Sequence, residues 1–234
     1  MITTAPELIY MLKVNIGIAL FYAFYKLFCC RDTFFQWRRI ALLSFLALSF
    51  LYPLMDMQAW VKEQPAINEL ADYYALMMLT ETNTSTATVV TAPVAIPTPD
   101  LLDIIKFVYW IGILLLSARF MIQLSSIFRL VLKSKNINVD QISIRSLSEP
   151  ANPFSFWQWI FIYLPGLKED EKQEILTHEQ THVRQWHSID VIISEIVNII
   201  CWMNPFAWLL KTEIRLNLEY LAKGLIQQMI FTIS

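Results

Sequence analysis

The chain has 234 residues, of which 56% are hydrophobic and 14% aromatic, and its mean hydropathy is +0.46. Because soluble domains are only about 45–50% apolar, this composition argues against a soluble enzyme or binding domain and is typical of a membrane protein. The formal net charge of −2 provides no basic field for nucleic acid, so no nucleic-acid partner is expected. Three cysteines, two of them adjacent, give neither a disulfide framework nor a CxxC metal motif.

Three apolar segments predict that residues 1–130 form the transmembrane region. Residues 8–28 and 101–124 each have about the 20 residues that a helix needs to cross the hydrocarbon core, and residues 39–55 are a slightly shorter candidate. The first segment is followed by bulky and charged residues instead of a small-residue cleavage site. It is therefore expected to be a retained anchor, not a signal peptide that is removed.

The charges between these segments predict their orientation. The first connection is basic, whereas the charged residues of the outer loop 56–100 are mostly acidic. This loop ends in a linker-like run rich in Thr, Ala and Pro. Basic residues return after the third segment, at Arg129, Lys133 and Lys135. The positive-inside rule then places residues 29–38 and everything after about residue 130 in the cytoplasm, with the N-terminus and the 56–100 loop outside.

Residues 131–234 are predicted to form a cytoplasmic domain. Residues 142–147 and 156–163 are β-branched and aromatic and are separated by turn-forming residues, which predicts a small β-hairpin. Asp170, with Gln173 three residues later, is then expected to cap a helix that continues through His187.

This helix carries the sequence HEQTH, His178 to His182, and all three histidines of the chain lie on it. Positions i and i+4 share one face of a helix, so His178 and His182 can present two imidazoles to one ion. Glu179 is offset by about 100°, within reach of a water molecule on that ion. Such an arrangement supplies two zinc ligands and a general base, whereas the alternative is two surface histidines on a helix.

A catalytic zinc site needs a third protein ligand. His187 lies five residues after His182, and on a continuous helix it would point about 140° away from that residue. The spacing of a metzincin third histidine is absent. A carboxylate from a later helix remains, and the candidates are Asp190, Glu195, Glu213 and Glu219.

Residues 178–224 resemble the core of the BlaR/MecR-type membrane zinc peptidases, metallopeptidase family 56. The resemblance rests on HExxH, an apolar stretch, the NPFAW turn at Asn204 and the following LEYLAKG helix, together with the upstream NPFSFWQW, and it extends over roughly residues 8–223. It implies a gluzincin-type core with His178, His182 and Glu219 as ligands of Zn²⁺ and Glu179 as the base. Substrate is expected to add as a strand along Phe154, Ser155 and Phe156.

If Glu219 is a ligand, the apolar residues 188–215 must form a helical hairpin that dips into the membrane and returns. Pro205 disfavours helix at Asn204, so the chain is expected to reverse there, and an earlier helix break is predicted at Ser188. A complete fourth span, with zinc bound by other residues, is the alternative.

The family motif ExxxD reads EYLAK here, so Lys223 stands where an aspartate is expected to orient a ligand. Family members usually continue beyond this point into another span or sensor, so a truncated member is expected. The resulting prediction is a mainly α, multi-pass protein of the bacterial inner membrane. It would be a zinc endopeptidase with a cytoplasmic active site that cleaves a cytoplasmic repressor or itself, in antibiotic-resistance or envelope-stress signalling.

Two other functions fit the sequence less well. A catalytically impaired remnant could act as a non-enzymatic membrane signalling scaffold. A small transporter is disfavoured, because the charged residues cluster after the apolar segments instead of within them.

Overall fold

The computed structural model describes residues 6–29, 34–55, 73, 101–139 and 142–233. Helix α1 spans Pro6–Phe24 and ends in a π-helical turn, Tyr25–Cys29. Helix α2 spans Phe35–Leu51, and helix α3 spans Leu101–Lys133. Apart from Tyr73, the outer loop and its linker predicted over residues 56–100 lie outside the described residues.

Among the residues that the structure describes, three helical segments are long and apolar enough to cross a membrane: Glu7–Cys29, Phe35–Leu54 and Leu101–Lys133. They confirm the three candidate spans predicted from hydropathy. The second begins at Phe35 instead of residue 39, so Arg38 and Arg39 lie on its first turns and not in a connecting loop. The third continues to Lys133 and leads directly into the sheet.

A four-stranded sheet follows, with strands β1 (Lys135–Val139), β2 (Ile142–Ser146), β3 (Phe154–Phe156) and β4 (Trp159–Ile162) in the order β1-β2-β4-β3. The β1–β2 and β3–β4 pairs are antiparallel, and β2 and β4 are parallel.

The prediction of one hairpin between residues 142–147 and 156–163 is therefore wrong. Trp157 adopts a positive φ of 56°, which lets the chain reverse over two residues between β3 and β4. The segment 156–163 thus contains a turn, and the strand that it supplies runs parallel to β2.

Helices α4 (Glu169–Arg184), α5 (His187–Ile200) and α6 (Pro205–Ile233) complete the fold. Helix α4 begins one residue before Asp170, and the Glu171 carboxylate accepts a hydrogen bond from the backbone N–H of Lys168 (3.4 Å). The predicted continuous helix to His187 is interrupted, because Trp186 adopts the left-handed conformation (φ 57°).

The predicted reversal before Pro205 is present. Asn204 accepts a hydrogen bond from the backbone N–H of Phe206 (3.0 Å), which caps the start of α6.

Two apolar clusters hold these elements together. The larger one joins α1, α2, α5 and α6 through buried residues such as Val14, Leu42, Val197, Leu210 and Leu218. The smaller one packs β2 and β4 of the sheet against Leu176 on α4. As a result, α6 is packed among the candidate spans on one side and contacts α4 on the other.

The reversal between α5 and α6 lies against the middle of α1. The buried Asn204 side chain donates a hydrogen bond through Nδ2 to the carbonyl oxygen of Asn15 (3.0 Å). On the α3 side, Trp202 packs over Gly112, where an added Cβ would come within 2.3 Å of the indole ring. Only glycine therefore allows this close approach without movement of the indole.

Candidate metal centre

The histidine pair lies on the face of α4 that is turned toward β3 and α6. Because His178 and His182 are one helical turn apart, their Nε2 atoms approach to 3.2 Å. Both rings are only partly exposed, with 24% and 15% of their side-chain surface accessible. A single ion can therefore contact both nitrogens while one side of the site remains open.

Helix α6 brings Glu219 to the same point. Its carboxylate oxygens lie 3.7 Å from Nε2 of His178 and 3.8 Å from Nε2 of His182. When one ligand atom is taken from each of the three residues, these three atoms all lie within 4.8 Å of one another. The chain reversal at Asn204 makes this possible, because it returns α6 along α5 to α4.

These separations suit zinc. Ligands that bind tetrahedral Zn²⁺ at about 2.0–2.2 Å lie about 3.4 Å from one another. The histidine Nε2 atoms are 3.2 Å apart, and each lies near a different oxygen of Glu219, at 3.7 Å from Oε2 and 3.8 Å from Oε1, which is close to that value. Two imidazoles and one carboxylate form a donor set typical of catalytic zinc sites, which leave the fourth position for water. His178, His182 and Glu219 therefore fit a zinc ion.

The other three carboxylates that the sequence left open are paired elsewhere. Asp190 accepts a hydrogen bond from Arg39 Nε (2.6 Å), Glu195 pairs with Lys211 (2.5 Å), and Glu213 pairs with Lys26 (2.5 Å). Each of them neutralises a cation between helices. Among the four candidates, Glu219 is the one that the structure brings to the histidines.

Glu179 is buried beside this cluster, with 7% of its surface exposed. Burial raises the pKa of its carboxyl group above the ordinary value, and a hydrogen bond from Ser155 and the nearby His178 partly offset that effect. A carboxylate that is costly to ionise attracts a proton more strongly than an exposed one does, which suits a general base.

A cavity of about 380 Å³ extends from the cluster along the sheet. One wall is formed by Phe154, Ser155 and Phe156 of β3, and the opposite side includes Arg215 and Leu216 of α6. In the strand order, β3 is an edge strand. The predicted substrate-strand residues thus lie beside the metal-binding cluster.

His187 contacts the cluster, contrary to the geometry expected for a continuous helix. Its Nδ1 atom lies 2.7 Å from Nδ1 of His182, and its Nε2 atom lies 2.9 Å from Oε1 of Gln185. Burial lowers the pKa of His187 to about 3, and burial also lowers the pKa of His182. The helix break predicted at Ser188 was the sequence feature that could have revealed this contact. In the structure the break lies earlier, at Gln185 and Trp186, and it turns His187 back toward His182.

Lys223 is exposed on α6, one turn beyond Glu219. Among the described residues it makes no hydrogen bond or ion pair, with the histidines or with any other side chain. Its effect on metal binding stays a prediction.

Comparison with known proteins shows the family of the chain. No curated protein matches the chain. The family model described as BlaR1 peptidase M56 matches residues 11–222, which include the helix of the histidine pair and Glu219. The match covers most of the chain, and the three membrane-capable helices agree with a membrane metallopeptidase. The chain therefore belongs to the BlaR1 peptidase M56 family.

Proposed function

We propose that this protein is a membrane-embedded zinc endopeptidase with its active site on the cytoplasmic side. The observation that carries the proposal is the convergence of His178, His182 and Glu219, with Glu179 buried beside them and an edge strand alongside. A zinc ion held by the three ligands would supply Lewis acidity, polarising a water molecule and the scissile carbonyl.

Glu179 performs the proton transfers in this proposal. Its carboxylate takes a proton from the attacking water and then delivers that proton to the leaving amine nitrogen. Its burial keeps the carboxylate away from bulk water, and the hydrogen bond from Ser155 orients it. The raised pKa of Glu179 helps it to hold the proton between the two transfers.

Substrate binding is assigned to the edge of β3. An extended peptide can pair with the edge of that strand that no described residue occupies, and it can lie along the cavity over the proposed metal ligands. Phe154 and Phe156 offer apolar surface to its side chains. A cytoplasmic repressor, or the protein itself, would then be cleaved in antibiotic-resistance or envelope-stress signalling.

Contacts between α1 and the α5–α6 hairpin support the proposed membrane arrangement. The basic residues Lys26, Arg38 and Arg39 mark the cytoplasmic end of α1 and α2, and Glu213 on α6 pairs with Lys26 there (2.5 Å). Asn204 meets Asn15, eleven residues before Lys26 and therefore about 16 Å along α1. We infer that the α5–α6 hairpin enters about half of the bilayer and returns, so Glu219 stays on the cytoplasmic side.

The decisive experiment compares Glu179→Gln with Glu174→Gln, an exposed position on the same helix. Both variants and the wild type are purified in detergent micelles with zinc and incubated with a fluorescence-quenched peptide library. The wild type and Glu174→Gln should cleave, whereas Glu179→Gln should retain zinc and lose cleavage by at least about 100-fold.

Metal analysis, together with the cleavage assay, separates the proposed peptidase from a non-enzymatic scaffold. His178→Ala should lose zinc that the wild type retains. Lys223, in place of the family's aspartate, is the observation that favours a non-enzymatic scaffold. A wild type that binds zinc but cleaves neither itself nor any library peptide would support the scaffold, and cleavage unchanged by Glu179→Gln would show that a contaminating protease is responsible.

A further inference from the structure

A histidine that binds a metal through Nε2 must carry its proton on Nδ1. Neutral imidazole exists as two tautomers, and the hydrogen bond made by the other ring nitrogen selects one of them. For His182, the atom turned toward His178 and Glu219 is Nε2, so its Nδ1 needs an acceptor. The partner of this Nδ1 atom therefore decides whether His182 can bind metal.

The partner is His187, whose Nδ1 atom lies 2.7 Å from Nδ1 of His182. The other nitrogen of His187, Nε2, lies 2.9 Å from the side-chain oxygen of Gln185. Since an amide oxygen only accepts, His187 must donate from Nε2. Its Nδ1 atom then carries a lone pair and accepts the Nδ1 proton of His182, which leaves Nε2 of His182 free for a metal.

Helix α2 holds this chain of hydrogen bonds in place. Arg39 donates from Nη2 to the backbone carbonyl of Gln185 (2.9 Å) and from Nε to the Asp190 carboxylate (2.6 Å). One guanidinium thus contacts the backbone before His187 and a side chain after it. His187 is 3% exposed, so water cannot readily replace its lone pair as the acceptor.

We propose that His187 is a positioning residue that holds His182 in its metal-binding tautomer, on a turn that Arg39 anchors to the second membrane-capable helix. The inference rests on the proposed metal site of His178, His182 and Glu219. Loss of a hydrogen-bond partner behind a metal ligand typically lowers metal affinity about 10- to 100-fold. The same loss is expected when His187 is replaced by a ring without an acceptor.

The first test uses the metal-free wild type and is independent of any variant's folding. The chain contains three histidines, so nitrogen-15 labelling of histidine gives a spectrum of three rings in detergent micelles. His182 should carry its proton on Nδ1, and His187 should carry its proton on Nε2. Protonation of His182 on Nε2 in the metal-free protein would overturn the proposal.

The second test measures zinc affinity by competition with a chelator. His187→Phe keeps an aromatic ring without an acceptor and should weaken zinc binding about 10- to 100-fold. His187→Asp restores an acceptor and should recover most of the affinity. Gln185→Glu, whose side chain only accepts, should retain affinity, and Gln185→Leu should lose part of it. Gln173→Leu, at an exposed position of α4, is the matched control and should bind as the wild type does.

The outcomes distinguish this inference from the function on which it rests. A wild type that binds no zinc refutes the proposed metal site itself. Tight zinc binding by the wild type with equal binding by a folded His187→Phe refutes only the role of His187. Weak binding by both His187→Phe and His187→Asp, with both proteins folded, would mean that the histidine ring contributes by packing and not as an acceptor.

Discussion

Replacement of Arg39 by methionine should be one of the most destabilising single changes on the first turns of α2. Arg39 Nε lies 2.6 Å from Asp190, whose side chain is 4% exposed, and Arg39 itself is 24% exposed. The methionine side chain would keep most of the aliphatic contact while leaving a buried carboxylate unpaired. Breaking a buried pair in this way costs about 3–5 kcal/mol.

The matched control is Lys172→Met. Lys172 pairs with Glu169 at 2.9 Å, but Glu169 is 68% exposed and stays hydrated when its partner is lost. Such a pair contributes about 0–1 kcal/mol. Equilibrium unfolding in mixed micelles with increasing SDS fraction, followed by tryptophan fluorescence, gives both free energies of unfolding.

A double-mutant cycle that combines Arg39→Met with Asp190→Asn isolates the interaction between the two side chains. If the pair stabilises as described, Asp190→Asn should relieve part of the loss caused by Arg39→Met, because the unpaired charge is then gone. A loss of less than about 1 kcal/mol for Arg39→Met, equal to that for Lys172→Met, would refute the reasoning. It would mean that water reaches Asp190 in spite of its burial.

Three further predictions concern charge, pH and the membrane. Lys223→Asp should raise zinc affinity about 10-fold or more in a chelator competition, because it restores a carboxylate one turn from Glu219; equal affinities would show that Lys223 does not influence the site. The pKa of His187 is lowered from 6.5 to about 3 in the folded state, so the unfolded chain binds the extra proton between these values and the metal-free protein loses stability as pH falls from 6.5. The free energy of unfolding should change by up to about 1.4 kcal/mol per pH unit, and by less in His187→Gln. Equal pH dependence of the two proteins in unfolding experiments would contradict the lowered pKa of His187. In a variant without the native cysteines, a membrane-impermeant thiol reagent added from outside should label Thr84→Cys but not Met203→Cys at the α5–α6 reversal. Labelling of both positions would indicate a complete fourth crossing.

Hydropathy was sufficient to predict the three membrane-capable helices, because about twenty apolar residues leave a helix few alternatives. The sheet was harder. Nothing local in residues 156–163 shows that Trp157 adopts a positive φ, and the parallel pairing of β2 with β4 depends on contacts distant in sequence. Strand β1 was missed for a related reason, since KNINV is half polar and pairs at the edge of the sheet.

The residues of the candidate metal-binding cluster differed in how well the sequence predicted them. The i, i+4 geometry of His178 and His182 needs only a helix. Glu219 could be named only through the family resemblance, since three other carboxylates were equally available from spacing alone. His187 was placed on the wrong side, because a single left-handed residue at Trp186 rotates everything that follows.

The position of α6 also gives the protein an order of assembly. Glu219 is carried by a helix that also buries Ile214 and Leu218 in the same cluster as Val14 and Leu42 of α1 and α2. The packing therefore predicts that Glu219 reaches the two histidines only after the membrane-capable helices have packed around α6. A newly synthesised chain that has not yet been inserted would lack a complete metal-binding cluster, and residues 131–234 expressed alone would lack the partners that hold Glu219. For the proposed peptidase, latency before insertion would thus follow from the packing.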